Sequence, residues 1–326
     1  MAAEAEELED DFDYGTHETL ILETGDEAEL AISKALCPKS HDRFVEVDSF
    51  TYRNLPSEYR EDGETLVDLI RALCDLTVKI DLNYVTKDRP SIWKGIKNSS
   101  YPLHDRRGRT VSSSGSGRIA DVRKLDNESF RCPCKECSDD IGRQNWMILV
   151  FTATHVIYNT EEAENAVCVA FFDKRNTGIR FPLVETQWRN ETGDLCLLAG
   201  VTCSPDLKTR LWDAILKFNA SWKEIEKRCE ESKEKRKKKL VVIVSHPHGA
   251  HKQISVSSVK EERIKHINND TGCFYSYKAS TCQGSSGAPV YIYGQNYFAD
   301  ERVHSGTVTD KSLNYCTTWC PKKKQN

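Results

Sequence analysis

The sequence predicts a mainly β fold, a barrel or a sandwich, which follows a small helical extension. From about residue 117 onward the chain contains short runs rich in Val, Ile, Thr and aromatic residues, such as WMILVFTATHVIY at 146–158 and LVVIVS at 240–245. Turn residues separate these runs, a pattern that is typical of all-β barrels and sandwiches. With 326 residues and 38% hydrophobic residues, the chain can hold one domain of roughly 200–250 residues and an extension.

The N-terminal part is predicted to be helical. In ETLVDLIRALCDL at 64–76, Leu and Ile recur at helical spacing along one face. Residues 97–117, which include the run SSSGSG at 112–117, have the composition of a linker or a turn. We therefore expect a helical extension over residues 31–95 and the β domain over residues 96–320.

Charge is distributed unevenly along the chain. Residues 1–30 hold 12 Asp or Glu and no Lys or Arg, although the net charge of the whole chain is only −4. The other 38 acidic residues face 46 basic ones, so residues 31–326 carry about +8. Because a block of like charge with few apolar residues does not collapse, residues 1–30 are expected to form a disordered acidic tail.

Composition also excludes several classes of protein. No run of about 18 apolar residues occurs, so we expect neither a transmembrane helix nor a membrane partner. The first residues lack the basic and apolar regions of a secretory signal, which predicts a cytoplasmic or nuclear protein. In such a compartment the 13 cysteines are expected to be free or metal-bound thiols rather than a disulfide framework.

One amphipathic helix interrupts the β runs. It is predicted to begin at Ser204 and Pro205, which suit the N-cap and the first helical position, and to end in KEKRKKK at 233–239. Positive charge at a helix C-terminus is favoured by the helix dipole, so this basic run does not require nucleic acid as a partner. A role of residues 233–239 in nucleic-acid binding or nuclear import remains the alternative.

Three segments hold the residue types that acyl transfer by a serine needs: an alcohol, an imidazole, a carboxylate and backbone N–H donors. Ser286 lies between Gly284 and Gly287 in a small-residue turn, where consecutive N–H groups can point inward. His155 follows an apolar β run. Asp194 precedes four apolar residues, so it must be solvated or paired. Glu191 and Asp173 are the substitutes for this carboxylate.

These segments resemble the trypsin/chymotrypsin-like serine protease superfamily, the PA clan, and its non-secreted members in particular. The nucleophile pattern C-x-G-D-S-G-G-P of that family is matched by Cys282, Gly284, Ser286, Gly287 and Pro289. Ser285 replaces the family's Asp, and Ala288 replaces its second Gly. FTATHVIYN resembles the family's T-A-A-H segment, and GDLCLLAG resembles D-x-A-L-L with Cys196 at a small-residue position. The chain order His, Asp, Ser is also that of the family.

The resemblance implies a fold and a function. The fold would be two six-stranded Greek-key barrels, and the activity would be hydrolysis of peptide bonds. His155 would be the general base, Asp194 its orienting carboxylate and Ser286 the nucleophile, with the amides of Gly284 and Ser286 as the oxyanion hole. Peptides or proteins are the expected partners, and no cofactor is expected. No Ile-Val-Gly-Gly activation terminus and no Asp before Ser286 is present, so the zymogen switch of secreted members is not expected.

The resemblance also predicts substrate contacts. RVHSGTV at 302–308 corresponds to the family strand that pairs with the substrate backbone, which makes His304, Ser305 and Gly306 candidates for substrate binding. Ser280 corresponds to the floor of the specificity pocket. A neutral Ser there would suit apolar or aromatic substrate side chains rather than Lys or Arg.

Two alternatives stay open at this point. Because Ser285, Ala288 and Cys196 depart from the family pattern, the domain could be a catalytically inactive fold that acts as a protein-binding module. Cys132, Cys134 and Cys137 could bind zinc with a fourth ligand from Cys168, Cys273 or a histidine, remain free thiols, or form a disulfide. The turn with His246, His248 and His251 is weak evidence for a metal. The sequence does not indicate an oligomeric state.

Overall fold

The computed structural model describes residues 14–24, 27–93, 99–125, 132–139, 143–231, 239–267, 270–295, 301–308 and 313–320. The strands in this part of the chain are β1 (Tyr14–His17), β2 (Leu20–Leu22), β3 (Val45–Glu46), β4 (Thr77–Tyr84), β5 (Thr110–Lys124), β6 (Trp146–Thr152), β7 (Ala166–Ala170), β8 (Ile179–Asn190), β9 (Leu195–Thr202), β10 (Leu240–Ser245), β11 (Gln253–Ile267), β12 (Asp270–Tyr277), β13 (Val290–Ile292), β14 (Val303–Val308) and β15 (Leu313–Cys320). The α helices are α1 (Glu27–Ala35), α2 (Gly63–Leu76), α3 (Lys135–Asp139), α4 (Thr160–Glu164) and α5 (Pro205–Glu231). The predicted mainly β class is confirmed.

The first sheet is a closed barrel of six antiparallel strands. Its order is β5-β4-β7-β8-β9-β6, and a further pairing between β6 and β5 closes it. Strand β2 adds to the outer side of β5. The barrel interior is filled by branched side chains such as Val78, Ile80, Ile148 and Val150, all fully buried, which is the packing that small β-barrels use.

The second sheet runs in the order β1-β14-β15-β12-β11-β10-β13, with the short β3 on β11. An isolated bridge between Pro289 and Val303 brings β13 back to β14 at the far end of this path. Six strands, β10 to β15, therefore surround a second core. Strand β1 lies outside this ring on the open edge of β14.

Two helices, both predicted from the sequence, pack on the barrels. Helix α2 contains the predicted apolar stripe, whose residues Leu66, Leu69, Ile70 and Leu73 are buried. Helix α5 begins with the predicted cap, since the Leu207 N–H donates to Ser204 Oγ at 3.2 Å. Both helices contribute to one core cluster with the first barrel and with β10. No helix in the described ranges is long and apolar enough to cross a membrane.

Strand β5 corrects the interpretation of residues 112–117 as a linker. The run SSSGSG lies inside this strand and is largely buried. Small residues are needed there because the strand packs closely on Val156 and Ser286: a Cβ on Gly115 would lie 2.8 Å from Val156 Cγ1 and 3.1 Å from Ser286 O. This run of Ser and Gly therefore indicates that two backbones approach each other closely, and not that the segment is a flexible linker.

The boundaries of the N-terminal regions also differ from the expectation. Strand β4, inside the predicted helical extension of residues 31–95, pairs with β5 and β7 and belongs to the first barrel. Strands β1 and β2 and the first residues of helix α1 lie within the predicted disordered tail of residues 1–30. The two strands are ordered because β1 pairs with β14 and β2 pairs with β5. Residues 1–13 and most of the basic run 233–239 lie outside the described residues.

Candidate active site

His155, Asp194 and Ser286 meet in a buried cluster between the two barrels. His155 follows β6, Asp194 lies in the turn between β8 and β9, and Ser286 lies in the turn before β13. His155 Nδ1 is 2.7 Å from Asp194 Oδ2, and His155 Nε2 is 2.7 Å from Ser286 Oγ. His155 and Ser286 are fully buried, and Asp194 is 3% exposed. The His155 imidazole thus lies within hydrogen-bond distance of both a serine hydroxyl and a carboxylate.

Asp194 fixes both the ring and the backbone of His155. Its second oxygen, Oδ1, accepts the His155 N–H at 3.1 Å. Asp194 has a φ of 48°, in the left-handed region that Asp tolerates better than most residues. The proposed substitutes lie elsewhere, since Glu191 accepts the Tyr158 hydroxyl and Asp173 pairs with Lys252.

The turn around Ser286 is shaped by two glycines and supported by Ser285. Gly284 has a φ of 94° and Gly287 a φ of 80°, and a Cβ on Gly284 would lie 2.4 Å from His246 O. Ser285 Oγ accepts the Cys282 N–H at 3.2 Å and donates to Ser245 Oγ at 3.2 Å. Ser285 therefore holds the turn through local hydrogen bonds. The secreted proteases that this turn resembles carry an Asp at the position of Ser285.

Two backbone amides of this turn converge on one carbonyl oxygen. The Gly284 N–H donates to Glu18 O at 2.6 Å, and the Ser286 N–H points to the same oxygen at 3.4 Å. These are the two amides that the sequence predicts as the oxyanion hole. The Glu18 N–H donates to Ser286 Oγ at 3.0 Å. The N-terminal segment of the chain thus lies against Ser286 Oγ and the amides of Gly284 and Ser286.

The predicted substrate-binding residues lie on β14 beside β1. Gly306 pairs with His17 in the antiparallel ladder between these two strands. His304 Nε2 is 2.6 Å from Glu18 Oε2, and His304 Nδ1 is 2.8 Å from the Tyr277 hydroxyl. Ser305 is buried, with its Oγ 3.3 Å from Thr317 Oγ1.

Ser280 does not join these residues in the described structure. Its carbonyl accepts the Ser255 hydroxyl at 2.8 Å, whereas the hydrogen bonds described for the Glu18 side chain go to His304 and Lys39. The side chain beside His304 and Lys39 is therefore a carboxylate, whereas the sequence analysis expects apolar or aromatic substrate side chains near Ser280.

A buried ion pair behind His155 was also missed. Arg89 Nε lies 2.7 Å from Glu162 Oε1, and Arg89 Nη2 lies 2.7 Å from Glu162 Oε2. Both side chains are fully buried. Arg89 also donates to His155 O at 2.8 Å, which ties the pair to the backbone of the site. The only feature of the sequence that marks Arg89 is its position before Pro90, and this position does not predict a buried ion pair. The Trp93 ring packs on His155 with a centroid distance of 5.3 Å.

The cysteine cluster gains its fourth member from an unexpected position. The Sγ atoms of Cys132, Cys134, Cys137 and Cys203 all lie within 4.8 Å of one another. The fourth member of this cluster is thus neither Cys168, which is buried in β7, nor a histidine; the Cys273 side chain lies outside the described residues. Hydrogen bonds from the Cys137 backbone and from Cys203 lower the pKa of Cys134 to about 7. Burial raises the pKa of Cys132 and Cys203 to about 11.

Residues 138–296 match the family model of the trypsin-like peptidase domain. This chain carries a trypsin-like peptidase domain. The matched residues include His155, Asp194 and Ser286 of the cluster described above. The predicted membership of the trypsin/chymotrypsin-like superfamily is therefore confirmed.

Two solved structures are similar to this trypsin-like chain at low sequence identity. The active form of the Rv3671c protease from M. tuberculosis is 16% identical, with a TM-score of 0.40, over 77% of this chain and 78% of that chain. Deg5 is 13% identical, with a TM-score of 0.41, over 80% of this chain and 90% of that chain. Among curated proteins, no match to the sequence was found.

Proposed function

We propose that the protein is a serine endopeptidase that uses Ser286 as nucleophile, His155 as general base and acid, and Asp194 as the orienting carboxylate. One observation carries this proposal: an unbroken hydrogen-bond chain from Asp194 through His155 to Ser286, with 2.7 Å between the atoms of each pair. Both contacts fall in the range that a nucleophile and its base require.

Each residue has a defined step. His155 Nε2 takes the proton of Ser286 Oγ as Oγ attacks the substrate carbonyl, and Asp194 stabilises the imidazolium that results. The amides of Gly284 and Ser286 stabilise the negative oxygen of the tetrahedral intermediate. His155 then gives the proton to the leaving amine, and water hydrolyses the acyl ester in a second round of the same steps. Peptides or proteins are the substrates.

Hydrolysis of a peptide library by the purified protein tests this function. The wild type is expected to cleave peptides, whereas Ser286→Ala and His155→Ala lose activity by a factor of about 10⁴ or more, as for other triads. Ser258→Ala, at a half-buried serine on β11, is the matched control and keeps the activity.

A second candidate function is binding without catalysis. The occupation of the site by the chain's own Glu18 favours it, because the contacts that hold this segment do not by themselves require hydrolysis. In the library experiment, this candidate predicts a folded wild type with no more hydrolysis than Ser286→Ala.

A structural zinc ion at Cys132, Cys134, Cys137 and Cys203 is a further part of the proposal. Four cysteine sulfurs within 4.8 Å of one another provide the closed ligand set that structural zinc uses. Native mass spectrometry is expected to show one zinc fewer in Cys203→Ser than in the wild type. Cys229→Ser, at a thiol outside this cluster, keeps the metal content; equal zinc in Cys203→Ser and wild type would contradict the site.

A further inference from the structure

The segment from β1 to β2 crosses the active site in the manner of a bound substrate. Upstream of Glu18, β1 pairs with β14; downstream, β2 pairs with Ser112, Ser113 and Ser114 of β5 in the other barrel. The chain therefore enters on one barrel and leaves on the other, and Glu18 and Thr19 lie between the two strands. Extended backbone added to a sheet edge is a standard mode of peptide recognition.

Glu18 presents its carbonyl group to the reacting atoms. The oxygen accepts from the Gly284 and Ser286 amides, and the Glu18 N–H contacts Ser286 Oγ. The Glu18–Thr19 peptide bond is consequently the bond that Ser286 faces. The Thr19 N–H donates to His17 Nδ1 at 3.3 Å, and the His17 ring packs against His155 with a centroid distance of 5.6 Å. Burial, followed by the charge of His155, lowers the pKa of His17 to about 3, so this ring is a neutral acceptor.

The Glu18 carboxylate lies in a pocket that matches its charge. One oxygen contacts His304 Nε2 and the other contacts Lys39 Nζ. A carboxylate can only accept, so His304 Nε2 carries a hydrogen, and the Tyr277 hydroxyl lies 2.8 Å from His304 Nδ1. Burial alone would raise the pKa of Glu18, but the hydrogen bond and charge of His304, together with Lys39, lower it to about 2. The pocket therefore binds the ionised form.

Close packing along β14 shows that this docking is specific. A Cβ on Gly306 would lie 2.5 Å from Thr16 O, so the absence of a side chain at Gly306 admits the backbone of β1. Lys39 is held in turn by Asn314 Oδ1 at 3.2 Å. Glu18 is only 3% exposed, and His304 is fully buried.

We propose that the site selects glutamate on the acyl side of the scissile bond, and that its first substrate is the Glu18–Thr19 bond of the same chain. This inference rests on the proposed protease function. Ser286 Oγ forms an ester with the Glu18 carbonyl carbon as the bond to the Thr19 nitrogen breaks, and His155 delivers the Ser286 proton to that nitrogen. Water then hydrolyses the ester, which leaves a Glu18 carboxylate, a Thr19 amino terminus and the original Ser286 hydroxyl.

Glutamate is favoured over its neutral analogues for a physical reason. Gln keeps the shape but loses the charge that Lys39 and the His304 N–H receive, which is expected to reduce kcat/KM by about 10- to 100-fold. Phe would leave the His304 N–H without this acceptor and Lys39 with Asn314 Oδ1 as its remaining described acceptor, and rejection of Phe is expected to reach about 1,000-fold or more. His304→Leu is expected to reduce the preference for Glu over Gln, because only Lys39 then faces the carboxylate.

The test begins with the purified full chain, by intact mass and N-terminal sequencing. The wild type is expected to be cut between Glu18 and Thr19, whereas Ser286→Ala remains whole. Glu18→Gln is expected to slow the cut by about 10- to 100-fold. Glu23→Gln is the matched control: Glu23 is exposed, lies five residues downstream and leaves the rate unchanged.

The second half of the test uses peptides with the sequence of residues 14–22 and Glu, Gln, Phe or Arg at the position of Glu18. Preference for Glu supports the proposal. A wild type that cleaves peptides but leaves its own Glu18–Thr19 bond whole, or that prefers Phe or Arg, overturns the proposal and leaves the protease function standing. A folded wild type that cleaves neither itself nor any peptide overturns the proposed function as well.

An independent observation concerns a second cluster of metal-binding side chains. Cys37, His41, His248 and Cys282 place their ligand atoms within 4.8 Å of one another. Cys37 Sγ and Cys282 Sγ are 3.6 Å apart, and His41 Nε2 and His248 Nε2 are 3.1 Å apart. Four ligands at the corners of a tetrahedron around Zn²⁺ lie about 3.3–3.8 Å apart, given Zn–N and Zn–S lengths of about 2.0 and 2.3 Å.

The position of this cluster links the N-terminal segment to the turn around Ser286 (residues 282–287), called the nucleophile turn below. Cys37 and His41 follow α1, while Cys282 lies four residues before Ser286 and the His248 N–H donates to Gln283 O at 2.6 Å. His248 has a φ of 57°, a strained conformation for this residue. The geometry points to a Cys2His2 zinc site that fastens the segment after Glu18 to the nucleophile turn.

Native mass spectrometry tests this site beside the four-cysteine cluster. The wild type is expected to bind one zinc more than Cys37→Ser or His41→Ala, and Cys229→Ser is the control that keeps the wild-type content. Cobalt substitution is expected to give absorption bands of a Cys2His2 site, which disappear in Cys37→Ser. Unchanged zinc in both variants, or a thiol count that falls by two because Cys37 and Cys282 are joined as a disulfide, overturns the site.

Discussion

At the scale of single residues, Glu18 connects the N-terminal segment to the reactive centre. Among the described residues of β1 and those that flank it, only Glu18 has a buried carboxylate with two described donor partners. These partners are His304 and Lys39. The docking energy of this segment should therefore depend on the ionisation of one group.

Docking of the segment is expected to weaken at acidic pH. The pKa of Glu18 falls from 4.5 to about 2 in the folded protein. A depressed pKa contributes stability that is fully present above pH 4.5 and is lost as the pH falls toward 2. Urea unfolding of Ser286→Ala should show this loss, and Ser286→Ala with Glu18→Gln should show a smaller pH dependence over the same window. Identical pH dependence of the two proteins would contradict the pairing.

Gly306→Ala separates docking from folding. Gly306 adopts no left-handed φ, so an Ala is compatible with its backbone, but its Cβ would meet Thr16 O at 2.5 Å. We expect the melting temperature of the core to change little while the KM for peptides rises by about 10-fold or more, the cost of a steric clash of a kcal/mol or two. An unchanged KM would show that β1 does not mark the substrate path.

Arg89→Met is expected to destabilise the protein strongly. It leaves the fully buried Glu162 carboxylate without its cation, which costs about 3–5 kcal/mol of unfolding free energy. The matched control is Arg123→Met, because the Arg123–Asp121 pair is largely exposed and is expected to contribute less than about 1 kcal/mol. Urea denaturation measures both, and similar losses for the two variants would contradict this account.

Sequence reasoning succeeded for residues that stand in recognisable local patterns. Ser286, His155 and Asp194 each stand beside a predicted strand in a familiar pattern, and the structure brings the three together. Their catalytic role stays a proposal. Glu18, Lys39 and His304 meet across 286 positions of sequence, so no local pattern announces their pocket.

At the scale of elements, strand β5 supports the nucleophile turn from the opposite barrel. Ser116 Oγ donates to Gly284 O at 2.8 Å and accepts the His246 N–H at 2.9 Å, and the Ser116 N–H donates to Ser286 O at 2.7 Å. The Ser and Gly run was interpreted as a linker because composition reports flexibility but not the contacts that require small side chains.

Ser116→Ala is expected to weaken this support. It removes a fully buried hydroxyl and leaves Gly284 O and the His246 N–H without this partner, which costs about 1–3 kcal/mol of unfolding free energy. Because Gly284 supplies one of the oxyanion amides in the proposal, kcat should fall as well. Thr110→Ala, at the exposed start of β5, is the control. A variant with full stability and full kcat would show that Ser116 does not hold the turn.

At the scale of the whole molecule, both barrels contribute to one site. The first barrel supplies His155 and Asp194, and the second supplies Ser286 and β14. The mainly β class was predictable because strand patterns recur along the chain. The trypsin-like family was predictable because three motifs occur in the order that the family has. The ordered N-terminal strands were not, because β1 and β2 are stabilised by sheet edges far away in sequence rather than by their own composition. The expected cellular location stays a prediction.

Labelling of the purified full chain with a fluorophosphonate probe, followed by mapping of the modified peptide, tests the central claim most directly. We predict that the wild type is labelled on Ser286, and that Ser286→Ala and His155→Ala are not, because only a serine activated by its imidazole reacts fast with such a probe. A folded wild type that remains unlabelled, or a label that persists in Ser286→Ala, would contradict the claim that Ser286 is the nucleophile.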